Sequence, residues 1–542
     1  MSLLNLPMYI DGGKRNVESY ADSRPALLQS LRLHFNINLH SAGKDRTQAM
    51  RTASLEPLRY LSRAEMDAIH QSALQILERT GMWVDHTQAL EYLRTAGCHV
   101  DMDRRMVKFP PAVVEAAVAR LRRNFQDSTR WPKRMSVRYS QVRFDAQPFA
   151  VHEDFTVSAG GFCIFIWDME GRRRYATLQD VRESLKLADQ LDQIAYTGLP
   201  CSAQEVPARL RPVLMAAELA KATRKHGGIE TFRREDIRYI ARIGEIVAGS
   251  REAHRRDPIL VGYAEARSPL CLDAVMADVM LAHLELGLPQ SLDTMPSGGA
   301  SAPMTAAGIL ALGVAETLGG LVLGYAVDPQ ATLTLDLTPG YCDMRSMHFG
   351  YAGAERVPLL AARVQLVSEY YGCPSGIHGG KTDSCVPGVQ MGIEKALSIY
   401  AAVMAGAIGF GTVGQLENCV TYSPQQLVID NEIARYVRHA IRGIEVNQET
   451  LALDVIHEVG PHGHTYDHPH TVKHFREVEL LSPFFDAWTW GVKDSLDRNG
   501  FEKRAAAKVR ELLAAETAPV LTPDQEAAID EVVKEATRDL RE

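Results

Sequence analysis

Eight short β-rich runs, separated by stretches with helical spacing, follow one another between about Gly161 and Gly414. They read FCIFIWD, QIAYTGLP, GGIETF, PILVGYAEA, PQSLDTM, ATLTLDL, PSGIHGG and AIGFGTVG. Helices are expected between them, among others over Leu178–Leu191, Leu210–Lys225, Arg234–Val247 and Val357–Tyr371. Strands that alternate with helices build a parallel sheet, because each return to the same direction needs a crossover. Eight such units in about 260 residues match a closed barrel better than an open doubly wound sheet. No Gly-x-Gly-x-x-Gly opens the first unit, which weakens a dinucleotide-binding reading. The expected fold class is therefore α/β, a (β/α)8 TIM barrel over residues 151–480. An N-terminal arm (1–55) and a small α+β region (56–150) are expected before it, and a helical C-terminal tail (481–542) after it.

Local signals mark several helix starts. Ser62 and Glu65 form a capping box ahead of Met66, Ile69, Ala73, Ile76 and Leu77, which recur at helical spacing. Thr177 with Asp180, and Thr522-Pro523-Asp524-Gln525, mark two more. Pro424 to Ile441 reads as the helix after the last strand.

Composition excludes some function classes. In 542 residues, 46% are apolar and 23% charged, the balance of a soluble globular protein. The net charge of −8, without a basic stripe, argues against a nucleic-acid partner. Eight cysteines without a Cys-x-x-Cys pair read as reduced thiols, hence a cytoplasmic protein. The N-terminal MSLLNLPMYIDGGKRNVES has no continuous apolar core and does not read as a signal peptide. Two runs, Ala302–Val327 and Ala396–Gly414, approach the roughly 20 apolar residues of a membrane span. Both are rich in Gly and Ala and lack flanking Lys/Arg clusters, so each is expected to be a buried helix running into a turn and strand, with no membrane partner.

The segment GIHGGKTDSCVPGVQMG (Gly376–Gly392) contains Gly-Gly-Lys-Thr, the end of a phosphate-binding loop. That loop needs a glycine five positions before Gly380, and Ser375 stands there. A nucleotide site is therefore not expected, and Lys381 and Asp383 are placed instead on the loop after the seventh strand.

Barrel active sites lie at the C-terminal ends of the strands. Those ends carry Glu230, Tyr263 with Glu265, Asp293, Asp336, His378 leading to Lys381 and Asp383, and Glu417. The loop after the sixth strand adds Tyr341, Asp343, Arg345, His348 and Tyr351. Each alone is equally well explained as a helix cap or a hydrogen-bonded loop residue. As a set, acids and aromatics suit a quaternary ammonium, which has no N–H to donate and is held by ring faces and carboxylates. Tyr263, Tyr341 and Tyr351 are candidate walls, and Lys381 is placed to neutralise Asp383 or to hold a substrate carboxylate. The stretch Ile456–Phe475 carries His457, His462, His464, His468, His470 and His474 but no His-Glu-x-x-His pattern and no cysteine. It is expected to pack beneath or beside the active-site mouth, without a metal; a zinc-dependent barrel enzyme is the alternative.

Several separated stretches resemble the trimethylamine methyltransferase family, in its form without pyrrolysine. They are AEMDAIHQSALQILERTGMWV, GGASAPMTAAGILALGVAETLGGLVL with its internal Glu316, GGKTDSCVPGVQMGIEKAL, GQLENCVTYSPQQLVIDNEIA and RGIEVNQETLALDVIHEVGPHGH. The resemblance spans about Ser62 to Ala514 and departs from the family pattern at Ser384-Cys385-Val386-Pro387-Gly388. It implies a (β/α)8 barrel that moves a methyl group from a methylated amine to the cob(I)alamin of a separate corrinoid protein. Family members that use trimethylamine carry pyrrolysine; its lack here implies a quaternary amine, such as glycine betaine or a related betaine. The chain has no Asp-x-His-x-x-Gly cobalamin signature, so the corrinoid is expected on a partner, with no tightly bound cofactor here. Family likeness also implies a homo-oligomer. A betaine-binding or sensing protein without turnover is the second alternative.

Overall fold

The computed structural model describes residues 55–126, 149–229, 231–256, 258, 262–485 and 500–540. Residues 1–54, where the arm is expected, and Glu230 lie outside them.

Parallel strands form two arcs. In the first, the seventh strand (Gly376–Ile377) pairs with the eighth (Gly409–Val413), and the eighth pairs with the first (Thr156–Ala159). The first pairs with the second (Tyr196–Thr197), and Thr197 bridges to His226 in the third position. In the second arc the fourth strand (Gly262–Ala266) pairs with the fifth (Gln290–Thr294), and the fifth with the sixth (Leu333–Leu335). The chain is thus α/β, with its strands in the cyclic order 7-8-1-2-3 and 4-5-6.

One expected strand is corrected. FCIFIWD is not the first of the parallel strands; Thr156–Ala159 is. Gly160 and Gly161 end that strand, and Phe162 takes a positive φ of 56°, which turns the chain outward. Phe165–Trp167 then forms a hairpin with Arg173–Tyr175 and pairs in parallel with Thr421–Tyr422. This small sheet extends the eighth and first units beyond the strand ends.

The space between the sixth and seventh strands is crossed by a side chain. Arg363, on the helix Arg356–Gln365, is 1% exposed. It pairs with Asp336 just past the sixth strand, donates to Ser375 Oγ at 2.9 Å, and donates to the Gly376 carbonyl of the seventh. A guanidinium supplies five donors in a fixed fork, which lets one residue hold three acceptors on two strands. A second buried pair, Lys395–Asp430 at 2.6 Å, ties the helix Val389–Met404 to the helix Pro424–Ala440. Asp430 also accepts from the Gly414 amide at 2.6 Å, which fixes the end of the eighth strand.

Two apolar cores follow the two arcs. One gathers Phe155, Val157, Ile377 and Phe410 with the C-terminal residues Val509, Ile529 and Val532. The other joins Leu292, Leu333 and Leu335 to the N-terminal region through Met66, Leu77, Phe109 and Leu121. The N-terminal region is also joined by backbone, since Trp83 and Val84 pair in parallel with Cys271 and Leu272. Between them lies the 22-residue helix Ala306–Val327, the one described helix long and apolar enough to cross a membrane, with 78% of its most apolar 18-residue stretch buried. Its Gly319 faces Met82 and Phe109 on one side, and its Gly320 and Gly324 face Leu292 and Leu333 on the other. A helix covered on both sides is apolar all round.

Capping boxes form at Ser62/Glu65, Thr177/Asp180 and Thr522/Gln525. The Gly-Gly-Lys-Thr segment is a turn after the seventh strand, and the next helix begins only at Val389, so Lys381 does not open a helix as a phosphate-binding loop requires.

Arg363→Met removes the side chain that spans the two strands and leaves Asp336 without its counter-ion. The expected loss is about 3 kcal/mol or more, read as a lower urea midpoint. Arg363→Met/Asp336→Asn recovers part of that loss, because no charge is then stranded.

Candidate functional site

A cavity of about 360 Å3, open to solvent at its mouth, lies between the arcs. It runs from residues that precede strands (Pro289, Pro374, Ile408) to residues at their ends. Strand residues alternate faces, so every second position points into it. On the fourth to seventh strands those positions deliver Glu265, Asp293, Asp336 and His378. On the eighth, first, second and third they deliver Gly409, Gly411, Gly160, Gly198 and Gly228. One wall is acidic, and the other is rich in bare backbone, interrupted by Thr156, Ser158 and Tyr196. A Cβ at Gly198 would stand 2.6 Å from the Gly228 carbonyl oxygen, and one at Gly411 2.9 Å from Ser158 Oγ, so neither position admits a side chain without a shift.

The acidic wall is tightly organised. The Thr294 amide donates to Asp293 Oδ1 at 2.7 Å, and the Leu337 amide donates to Asp336 Oδ1 at 2.8 Å. His378 Nε2 stands 3.9 Å from Asp336 and 4.0 Å from Asp293. Asp293, Asp336 and His378 offer ligand atoms all within 4.8 Å of one another, the single such group of His, Cys, Asp and Glu among the described residues. Burial pushes the Asp293 carboxyl up, opposed by the Arg363 guanidinium, the Thr294 amide and the Lys381 ammonium. Just behind, the buried Glu316 accepts from Ser268 Oγ at 2.6 Å and the Leu270 amide at 2.7 Å, and also from Thr294 Oγ1. It thereby holds the ends of the fourth and fifth strands together.

Tyr351 and Lys381 line the same cavity. The Lys381 ammonium stands 3.7 Å from the Tyr351 ring centroid, so one ring face is taken by the protein's own cation. Arg356 lies 4.9 Å from the same centroid, and burial lowers its pKa to about 10.

The expected site residues thus divide. Glu265, Asp293, Asp336, Tyr351, His378 and Lys381 meet in the cavity. Tyr263 is in the fourth strand, but its side chain lies outside the described residues. Five others stand elsewhere, for physical reasons. Tyr341 packs beside Gly298 in a short sheet formed by Ser297–Gly298, Gly340–Cys342 and Phe349–Gly350. Asp343 pairs with Arg345 and accepts from the Arg345 and Ser346 amides, which hold its carboxyl well below the usual range. His348 is an exposed residue of that turn. Asp383 accepts from the Tyr351 and Ala352 amides at 2.7 and 3.3 Å, and so fixes the loop that carries Tyr351. Glu417 is bound by Arg173 at 2.7 and 3.1 Å and by Thr421 Oγ1 at 2.5 Å, clamping the hairpin to the eighth-strand loop.

The His-rich stretch follows the helix Pro424–Ala440. Its chain packs on the C-terminal end of the helix Pro424–Ala440, through His439 to the Val478 carbonyl and Arg442 to the Glu477 carbonyl. None of its histidines lines the cavity. His468 pairs with Glu458, His474 with Glu449, and His464 with Asp467.

Two contributors were not picked out from sequence. The glycine wall has no signal beyond glycines at strand ends. Arg363 has one: it sits among Leu359, Leu360, Val364 and Val367, at core spacing, where an arginine needs a buried partner.

A model of the family described as trimethylamine methyltransferase (MTTB) matches residues 37–540. The chain is 28% identical to a glycine betaine methyltransferase of Desulfitobacterium hafniense (strain Y51) over 386 residues, covering 70% of this chain and 79% of that protein. It is 28% identical to the trimethylamine methyltransferase MttB of Desulfitobacterium hafniense (strain DSM 10664 / DCB-2) over 419 residues, covering 77% and 81%. With the MttB of Methanosarcina thermophila it shares 29% identity over 412 residues, covering 74% and 82%. The chain is a methyltransferase and belongs to the trimethylamine methyltransferase family.

Proposed function

We propose that the chain moves a methyl group from a quaternary amine, glycine betaine or a related betaine, to cob(I)alamin carried by a separate corrinoid protein. The acidic wall supports this most directly: Glu265, Asp293 and Asp336 face a cavity large enough for a substituted ammonium and open at the strand ends. Likeness to a glycine betaine methyltransferase adds weight. The two arcs are read as one (β/α)8 barrel, since their order is cyclic.

The donor set fits an organic cation better than a metal. Arg363 already neutralises Asp336, and a divalent ion would have to displace it. When the partner docks, its cob(I)alamin supplies the nucleophile: the methyl carbon passes to cobalt and the C–N electron pair stays on nitrogen, so the amine leaves neutral. The chain has the complementary task. Glu265 and Asp293 hold the positive nitrogen, while the glycine wall leaves room for its methyl groups. His378 and Thr338 keep the acids in place: Thr338 Oγ1 lies 3.5 Å from either oxygen of Asp293. The substrate charge disappears in the transition state, so a cation held too tightly would react slowly. A carboxylate set whose charge is partly balanced by Arg363 and Lys381 meets that limit.

Purified protein mixed with cob(I)alamin without oxygen is expected to convert it to methylcobalamin with a betaine but not with trimethylamine. Lack of conversion with every quaternary amine, both with free cobalamin and with corrinoid proteins, would remove the proposal. Asp293→Asn is expected to weaken betaine binding about tenfold to a hundredfold, the worth of a charge-assisted contact. In the wild type, binding falls with pH as Asp293 takes up a proton and loses its charge. Burial raises that carboxyl, so the midpoint lies above the ~3.9 of a free aspartate. The Asn variant lacks this step, and calorimetric titration between pH 4 and 8 reads both effects.

A further inference from the structure

The loop after the seventh strand carries a charge that no acid meets in a direct ion pair. Lys381 is 8% exposed and lines the cavity. Its ammonium meets the Tyr351 ring at 3.7 Å and stands near the Cys419 thiol, where its charge opposes the upward push of burial. Among the described residues it forms no ion pair within 4.0 Å. Neighbouring acids are engaged elsewhere: Asp383 by two amides, Glu417 by Arg173, Asp336 by Arg363. A ring face and a thiol compensate a buried ammonium only in part, and buried charges are as a rule paired. The missing partner is an anion that enters with the ligand.

The same cavity carries Glu265, Asp293 and Asp336. It is therefore dipolar, with an ammonium on the seventh-strand loop and carboxylates at the ends of the fourth to sixth strands. Lys381 is close enough for its charge to favour the ionised form of Asp293. A simple cation satisfies only the acidic end, and a simple carboxylate only the other. We infer that Lys381 is the receptor for the carboxylate of a zwitterionic substrate, whose quaternary nitrogen lies against the acidic wall. The inference rests on the proposed function and deepens it, making Lys381 the residue that selects betaines over amines without a carboxylate.

Calorimetric titration of the full chain tests it with glycine betaine, γ-butyrobetaine, choline and tetramethylammonium. The wild type is expected to bind one of the two betaines at least about tenfold tighter than choline or tetramethylammonium, the worth of one charge-assisted contact. Lys381→Met is expected to lose that advantage while choline and tetramethylammonium stay within about twofold, and Lys381→Arg to keep most of it. A circular-dichroism melt matched to wild type shows that the Met variant is folded. If it is not, Lys381→Arg and the wild-type ranking carry the test. Equal binding of all four ligands by wild type, or an equal change for all four in Lys381→Met, overturns the inference and leaves the methyl-transfer proposal standing. If wild type binds none of the four, the inference falls, and the cobalamin assay decides the methyl-transfer proposal separately.

Discussion

A single buried guanidinium joins the fold to its cavity. Arg363 reaches from its helix to Asp336 at the end of the sixth strand and to Ser375 and Gly376 on the seventh. Desolvating that charge is costly, and the cost is offset only by a full set of acceptors in good geometry. The acceptors are backbone and side-chain groups of two strands, so the residue that satisfies its own charge also sets their spacing. One of those acceptors, Asp336, is part of the acidic wall. The strands there and the wall charge stand or fall together.

The remaining half is held by different means. Lys395 and Asp430 tie two helices and the end of the eighth strand, deep in a core that reaches the C-terminal helices. The core on the other side is shared with the N-terminal region, which enters a sheet with Cys271 and Leu272. The apolar helix Ala306–Val327 is explained by this sharing: no face of it is left for water. Its one acid, Glu316, is saturated by groups at the ends of two strands.

The alternation of strands and helices was legible because buried parallel strands are runs of apolar residues that differ from their helices in period. It failed at Phe162–Asp168, where the run is as apolar as a buried parallel strand but serves a hairpin, while the true first strand, Thr156–Ala159, is short and small. Strand-end residues such as Glu265, Asp336 and His378 could be placed from the period of two alone. Loop acids could not: Asp343, Asp383 and Glu417 are indistinguishable in sequence from turn caps and ion pairs, which is how the structure uses them. The His-rich stretch looked like chemistry because of its composition, yet its position depends on where the preceding helix ends.

The bare wall also bears on how such a site diverges. On the acidic side, every change of residue alters charge, and with it the balance among Asp293, Asp336, Arg363 and Lys381. On the glycine side the chemistry is carried by shape, and a methyl group at Gly198 or Gly411 would press on the Gly228 carbonyl or on Ser158. The two properties that define a ligand, its size and its charge, are thus written largely on different strands. A change of size there needs neighbouring atoms to move, whereas a change of charge on the acidic strands needs only a new side chain.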